Sequence, residues 1–235
     1  MALVSEVARA AGGELAAVVF FGSRSSGVRT TAASAYDLML VADRPPALYE
    51  AFVASGLLQR SPWLLSLLDS SLPPTQIRLS RDGWVVKAAV ISTGEFERSV
   101  SSRRRDQFMA GRLFQDVHLV WARDDSAEAL VDRVTRAARM ITLDWAAPDF
   151  PSEFGASEYV RQLFRTSFRF EVRPESKGRA DALFEAQTER LVPAFEDVLA
   201  ELCAQGRLVR LDAGRYVLPR SPGISSRVAR RAHME

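Results

Sequence analysis

The 235-residue chain has one cysteine, Cys203, and two histidines, His118 and His233. A lone thiol excludes an intrachain disulfide and fits a reducing cytoplasm. Cysteine and histidine together are too few for a zinc cage of the common kind, so any metal would be a hard ion held by oxygen. No run approaches the roughly 18 apolar residues of a membrane span. The opening MALVSEVARAAGGELAA lacks the charge-then-apolar order of a signal peptide. Net charge is only +2, which disfavours duplex nucleic acid as a partner. Lysine is nearly absent: only Lys87 and Lys177 stand among many arginines. A lysine kept against that bias suits a place that needs a compact ammonium near a phosphate, or one whose pKa can shift.

What is present is an ordinary globular composition, 47% apolar and 26% charged, long enough for one large or two small cores. The first 124 residues alternate strands and helices. A short amphipathic helix at 2–11 precedes apolar strands at 16–21 and 36–42 that read as buried on both faces. Arg44-Pro45-Pro46 opens a helix to about Leu57, with Asp43 as its cap. A second helix starts at Pro62 with Ser61 as cap. Segments 75–80 and 84–92 flank Arg81-Asp82-Gly83 and form a hairpin. Helices at 94–101 and 103–111, the latter ended by Gly111, lead to a buried strand at 118–122.

From residue 125 the pattern turns helical: 126–145, then 155–169 and 178–204 after a loop at 146–153. A hairpin within GRLVRLDAGRYVLP turns at Asp212 to Gly214. The expected organisation is a first domain over 1–124, a helical, winged-helix-like domain over 125–219, and a basic tail over 220–235. The fold class is α/β (α+β) with a mixed sheet.

Chemistry gathers at the ends of the first strands. VVFF runs into Gly22-Ser23, whose backbone N–H groups and hydroxyl suit triphosphate oxygens. The next strand carries Asp37 among apolar neighbours, where a carboxylate without a metal or basic partner is costly. A glycine-serine turn followed by a strand carboxylate is how a polymerase-β-type nucleotidyltransferase begins, although the usual second aspartate is replaced by Ala35. Asp43 is a second-rank metal candidate. Lys87, in WVVKAAVI, faces phosphate, acts as a base, or is an edge-strand lysine reaching out to water. Arg112 either reaches phosphate or neutralises the end of its own helix. Arg103-Arg104-Arg105 reads as a solvated face, and SFRFEVRPESK packs Arg169, Glu171, Arg173, Glu175 and Lys177 into one dense stretch.

In order along the chain these segments resemble the mitochondrial-type phosphatidate cytidylyltransferases, the translocator assembly and maintenance family. That family pairs a Gly-Ser turn with a strand bearing a single Asp, as Asp37 with Ala35 does here. VVKAAVIS (85–92) is similar to its lysine strand, with Ala88-Ala89 in place of Tyr-Gly. AGRL (110–113) matches its Gly-Arg-Leu signature. Ser167-Phe168-Arg169-Phe170-Glu171-Val172-Arg173 is similar to its Ser-Tyr-x-x-Asp-x-Arg, and a Glu-x-Lys follows as Glu175 and Lys177. Phe168 lacks the tyrosine hydroxyl and Glu171 is longer than Asp.

The resemblance spans about residues 16 to 220. It implies CTP and phosphatidic acid as substrates, CDP-diacylglycerol and pyrophosphate as products, and magnesium as cofactor. In that reading Asp37 binds the metal, and Gly22 and Ser23 grip phosphates. Lys87, Arg112 and Arg173 bring the two anions together, Lys177 binds phosphate, and Glu171 orients one of these cations or joins the metal shell. The enzyme would be cytoplasmic and peripheral to the inner face of the membrane, touching it through Arg220, Arg227, Arg230 and Arg231 with Ile224 and Val228. The alternatives are a nucleotidyltransferase with a small soluble acceptor and an inactive, nucleotide-binding member of the fold. A nucleic-acid-binding module is disfavoured by the near-neutral charge.

Overall fold

A computed structural model describes residues 2–26, 35–72, 74–81, 83–101, 108–170 and 178–219. Its centre is a five-stranded mixed sheet. Strands β1 (Leu15–Phe21), β2 (Tyr36–Ala42), β3 (Thr75–Arg81), β4 (Trp84–Ser92) and β5 (His118–Ala122) lie in the order β3-β4-β2-β1-β5. Only β2 and β4 are parallel; the other neighbours are antiparallel. The chain is thus mixed α/β and fits the α+β class.

Two cores cover the sheet's faces, and strand alternation decides which side chain joins which. Val18, Leu38, Leu40, Leu79 and Val90 face α1 (Ala2–Ala10), α3 (Pro45–Ala54) and α4 (Pro62–Ser71), which bring Val7, Phe52 and Leu65. Val19, Met39, Val41 and Ile91 face α5 (Thr93–Arg98), α6 (Ala110–Leu113) and the first half of α7 (Asp125–Ala146). A third core joins the second half of α7, through Met140, Leu143 and Ala146, to α8 (Ala156–Phe170) and α9 (Arg179–Ala204). Aromatic stacking of Phe150, Phe154 and Tyr159 fills its centre, with ring centroids 4.7 and 4.8 Å from Phe150. A short ladder of β6 (Val209–Arg210) and β7 (Tyr216–Val217) closes this core, and Tyr216 bridges to Phe154.

Several expectations are corrected. Residues 118–122 form an edge strand, not a buried one: β5 pairs with β1 alone and Val120 is 39% exposed. Asp43 does not cap α3. Arg44 holds that position, and Pro45 and Pro46 supply no N–H groups for a cap to satisfy. Asp43 instead pairs with Arg123 at 2.5 Å. Ser61 sits at the α4 N-cap without a side-chain bond. Gly111 lies inside α6 instead of ending a longer helix, and residues 102–107 are outside the described set. Ser92 caps α5, accepting from the Glu95 N–H at 3.2 Å. Its Ser-x-x-Glu spacing is a capping box legible in the sequence.

Candidate functional site

At one end of the sheet four residues stand in a single register line. Phe21 pairs with Asp37, Asp37 with Lys87, and Lys87 with Arg78. Register partners project to the same face. Met39, Val41, Ala89 and Ile91 mark that face as the one packed under α5, α6 and α7. Beyond that cover, Asp37 is half-buried while Lys87 and Arg78 are exposed. Two cations directly opposite each other in a ladder repel. The arrangement therefore suits an anion laid across β3 and β4 beside a carboxylate.

The turn after β1 comes up against Asp37. Gly22 has φ +86°, in the left-handed region that favours glycine. A Cβ built there would overlap Asp37 Oδ2 and lie 3.0 Å from Asp37 Cβ and Cγ. The backbone leaving β1 thus passes directly against the carboxylate, and only glycine fits. Ser23 begins the four-residue helix α2 (Ser23–Ser26), and its side chain is outside the described set. Arg24 lies over the Tyr36 ring at 4.3 Å, beside the same strand end.

Arg112 is engaged within its own turn. Its guanidinium stacks on Phe108 at 3.6 Å and donates to the Phe108 carbonyl at 2.9 Å. The AGRL segment also meets the start of the Ser-Phe stretch, since a Cβ at Gly111 would lie 3.9 Å from Ser167 Cβ. Ser167 is buried and donates to the Phe164 carbonyl at 2.9 Å. Glu171, Arg173, Glu175 and Lys177 fall outside the described residues, as do Arg103-Arg104-Arg105 and the tail from Arg220.

Two features were missed in the sequence. Arg78 is one, although the alternation in TQIRLS marks it as outward-facing. The other is a clamp around Asp116, in the loop before β5. Its backbone N–H donates to Gln187 Oε1 at 2.8 Å, and its carboxylate lies 2.5 Å from Arg190 Nε and 3.5 Å from His118 Nε2. Ser25 of α2 donates to the Asp116 carbonyl at 3.4 Å. Nearby Arg139 has its pKa lowered by burial, with the Asp116 charge opposing that shift. The clamp thus ties the helix after Gly22 to α7 and α9.

Among the described residues no group of three or more His, Cys, Asp and Glu gathers that could hold a metal unaided. A magnesium ion does not need one, because it keeps several waters and is commonly held by one or two carboxylates plus substrate phosphates. A half-buried carboxylate pressed against a glycine turn fits that donor set. Two cavities, about 500 and about 350 Å³, share Glu97 and Arg133. The second reaches Ala16 and Asp43, at the opposite end of β1 and β2 from Asp37, so it serves a different part of the molecule. Among the described residues no helix is long and apolar enough to cross a membrane. No protein-family model matches the chain, and no curated protein matches it.

Proposed function

We propose that the chain is a magnesium-dependent phosphatidate cytidylyltransferase of the polymerase-β-like nucleotidyltransferase kind, with 125–219 as a winged-helix-like second domain. The observation that carries the reading is the register line Asp37–Lys87–Arg78 with Gly22 packed against Asp37. Supporting it is the order of motifs along the chain, together with the contact between Gly111 and Ser167.

In the reaction a phosphate oxygen of phosphatidic acid attacks the α-phosphorus of CTP. The new P–O–P bond forms as the bond to the β-phosphate breaks, and pyrophosphate leaves with its electron pair. The nucleophile is already an anion and needs no strong base, so one carboxylate suffices where a hydroxyl acceptor would ask for more. The larger obstacle is the approach of two anions. Lys87 and Arg78 offset it, because fixed charges placed where negative charge gathers need no reorganisation during the reaction. Asp37, with phosphate oxygens, would hold magnesium, which supplies charge neutralisation at the leaving pyrophosphate. Gly22 lets the backbone approach the phosphates as closely as it approaches Asp37. The enzyme would work on the cytoplasmic face of a membrane without spanning it.

The test is pyrophosphate release with CTP, magnesium and phosphatidic acid micelles. Wild-type turnover that depends on lipid and prefers CTP to ATP is expected, as is loss of at least a hundredfold in Asp37→Ala and Lys87→Ala with melting temperature unchanged. Turnover with a soluble acceptor and no lipid dependence would assign the fold to small-molecule chemistry. No pyrophosphate with any acceptor, despite nucleotide binding, would leave an inactive binder, the reading that Ala35 favours.

A further inference from the structure

Asp116 turns its polar groups to several elements at once. Its backbone N–H donates to Oε1 of buried Gln187 on α9 at 2.8 Å, and its carbonyl accepts from Ser25 Oγ on α2 at 3.4 Å. Its carboxylate is only 13% exposed, with Arg190 Nε of α9 at 2.5 Å from Oδ2 and His118 Nε2 of β5 at 3.5 Å. Among the described residues Oδ2 accepts no aligned hydrogen bond, so its charge is held by the cations around it. Half-buried Arg139 of α7 feels the same charge.

Ser25 carries this arrangement to the site. Its N–H donates to the Gly22 carbonyl at 3.1 Å, which closes the turn that leaves β1, while its hydroxyl holds Asp116. Gly22 packs directly against Asp37. A chain of contacts thus runs from Arg190 to Asp116, Ser25 and Gly22, and ends at the carboxylate of the register line. Helix α2 also touches α9 directly, so plain packing is the competing route between the same two elements.

We propose that Asp116 is a positioning residue through which α9 sets the pose of the Gly22 turn. That this turn receives a nucleotide triphosphate rests on the cytidylyltransferase reading; the link itself does not. With the link intact, the backbone of Gly22 and Ser23 is held in place before a ligand arrives. Without it, the same groups must be ordered on binding, and affinity falls.

The experiment measures two quantities on the full chain: the hydrogen-exchange protection of the residue 25 amide by NMR, and the Kd of CTP with magnesium by calorimetry. Removing a cation from a nearly buried carboxylate lowers stability whatever its purpose, so melting temperature does not decide the question. Arg190→Gln and Ser25→Ala should each cut protection at residue 25 by about threefold or more and weaken CTP by a similar factor. Arg190→Lys, which keeps the charge, should restore both. The two losses lie in series, so adding Arg190→Gln to Ser25→Ala should change neither quantity further. Glu185→Gln, which breaks the α9 ion pair with Arg161 at 2.6 Å, should leave residue 25 and CTP affinity at wild-type values.

Wild-type protection at residue 25 in Arg190→Gln overturns the proposal. So do losses that add in full in the double variant, or an equal effect of Glu185→Gln, since both would mean general loosening of α9. Protection that follows these variants as expected, in a wild type that binds no CTP, defeats the cytidylyltransferase reading alone. Lipid-dependent turnover of CTP that none of the variants alters defeats the link alone.

Discussion

The contact between Gly22 and Asp37 lends itself to a double-mutant cycle. Gly22→Ala places a Cβ at φ +86°, which costs about 1–2 kcal/mol for a non-glycine residue. The same Cβ overlaps Asp37 Oδ2, and driving that short side chain from its rotamer adds about 0.5–1.5 kcal/mol. The single variant should therefore lose about 1.5–3.5 kcal/mol in urea denaturation. In an Asp37→Ala background the carboxylate is gone and the second cost falls away, although the neighbouring Cβ at 3.0 Å remains. Gly22→Ala should then cost about 1 kcal/mol less than in wild type, a coupling outside the few tenths expected of independent sites. Turnover should fall in Gly22→Ala as well, because the carboxylate is displaced. Strict additivity of the two substitutions would refute the reasoning, since it would mean the turn and the carboxylate are not in contact.

Asp69 has its pKa raised above 3.8, chiefly by burial, against the opposing hydrogen bonds from Thr75 and Tyr49. A carboxyl raised in the folded state contributes stability that is fully present below its unfolded pKa and lost as pH climbs through the folded value. Asp69→Asn should therefore melt at or above wild type at neutral pH, with the gap closing below the ordinary carboxylate range; a gap that widens in acid would reverse the sign. Pro193 is exposed inside α9, where it removes an intrahelical hydrogen bond. Pro193→Ala is expected to raise stability by about 1–3 kcal/mol in chemical denaturation, and a loss would show that the proline shapes a packing bend.

Much of the frame was legible because local rules and tertiary packing agree. The apolar runs at 36–42 and 84–92 became strands with those bounds, and Gly22, Asp37 and Lys87 were visible as residue types out of keeping with their surroundings. Their alignment was not. β2 and β4 are parallel neighbours joined by a long crossover through two helices and β3, and such a connection fixes no register that a reader can count. Arg78 could have been found, because the tight turn pairs Arg81 with Trp84 and counting back sets Arg78 opposite Lys87. The edge position of β5 was hidden, since five mostly apolar residues read alike at the centre and rim of a sheet. Asp43 misled because a carboxylate before a helix usually caps it, whereas two prolines had already removed the donors.

Helix α7 has a consequence for how the molecule can come apart. Its first half seals Val19, Met39 and Val41, while its second half is keyed into the aromatic stack around Tyr159. A chain severed ahead of Asp125 would strip the roof from the sheet and leave the first half of α7 bare on the helical fragment. Neither fragment would keep both halves of that beam covered, so the two parts should melt together, as planks nailed to one beam fall with it.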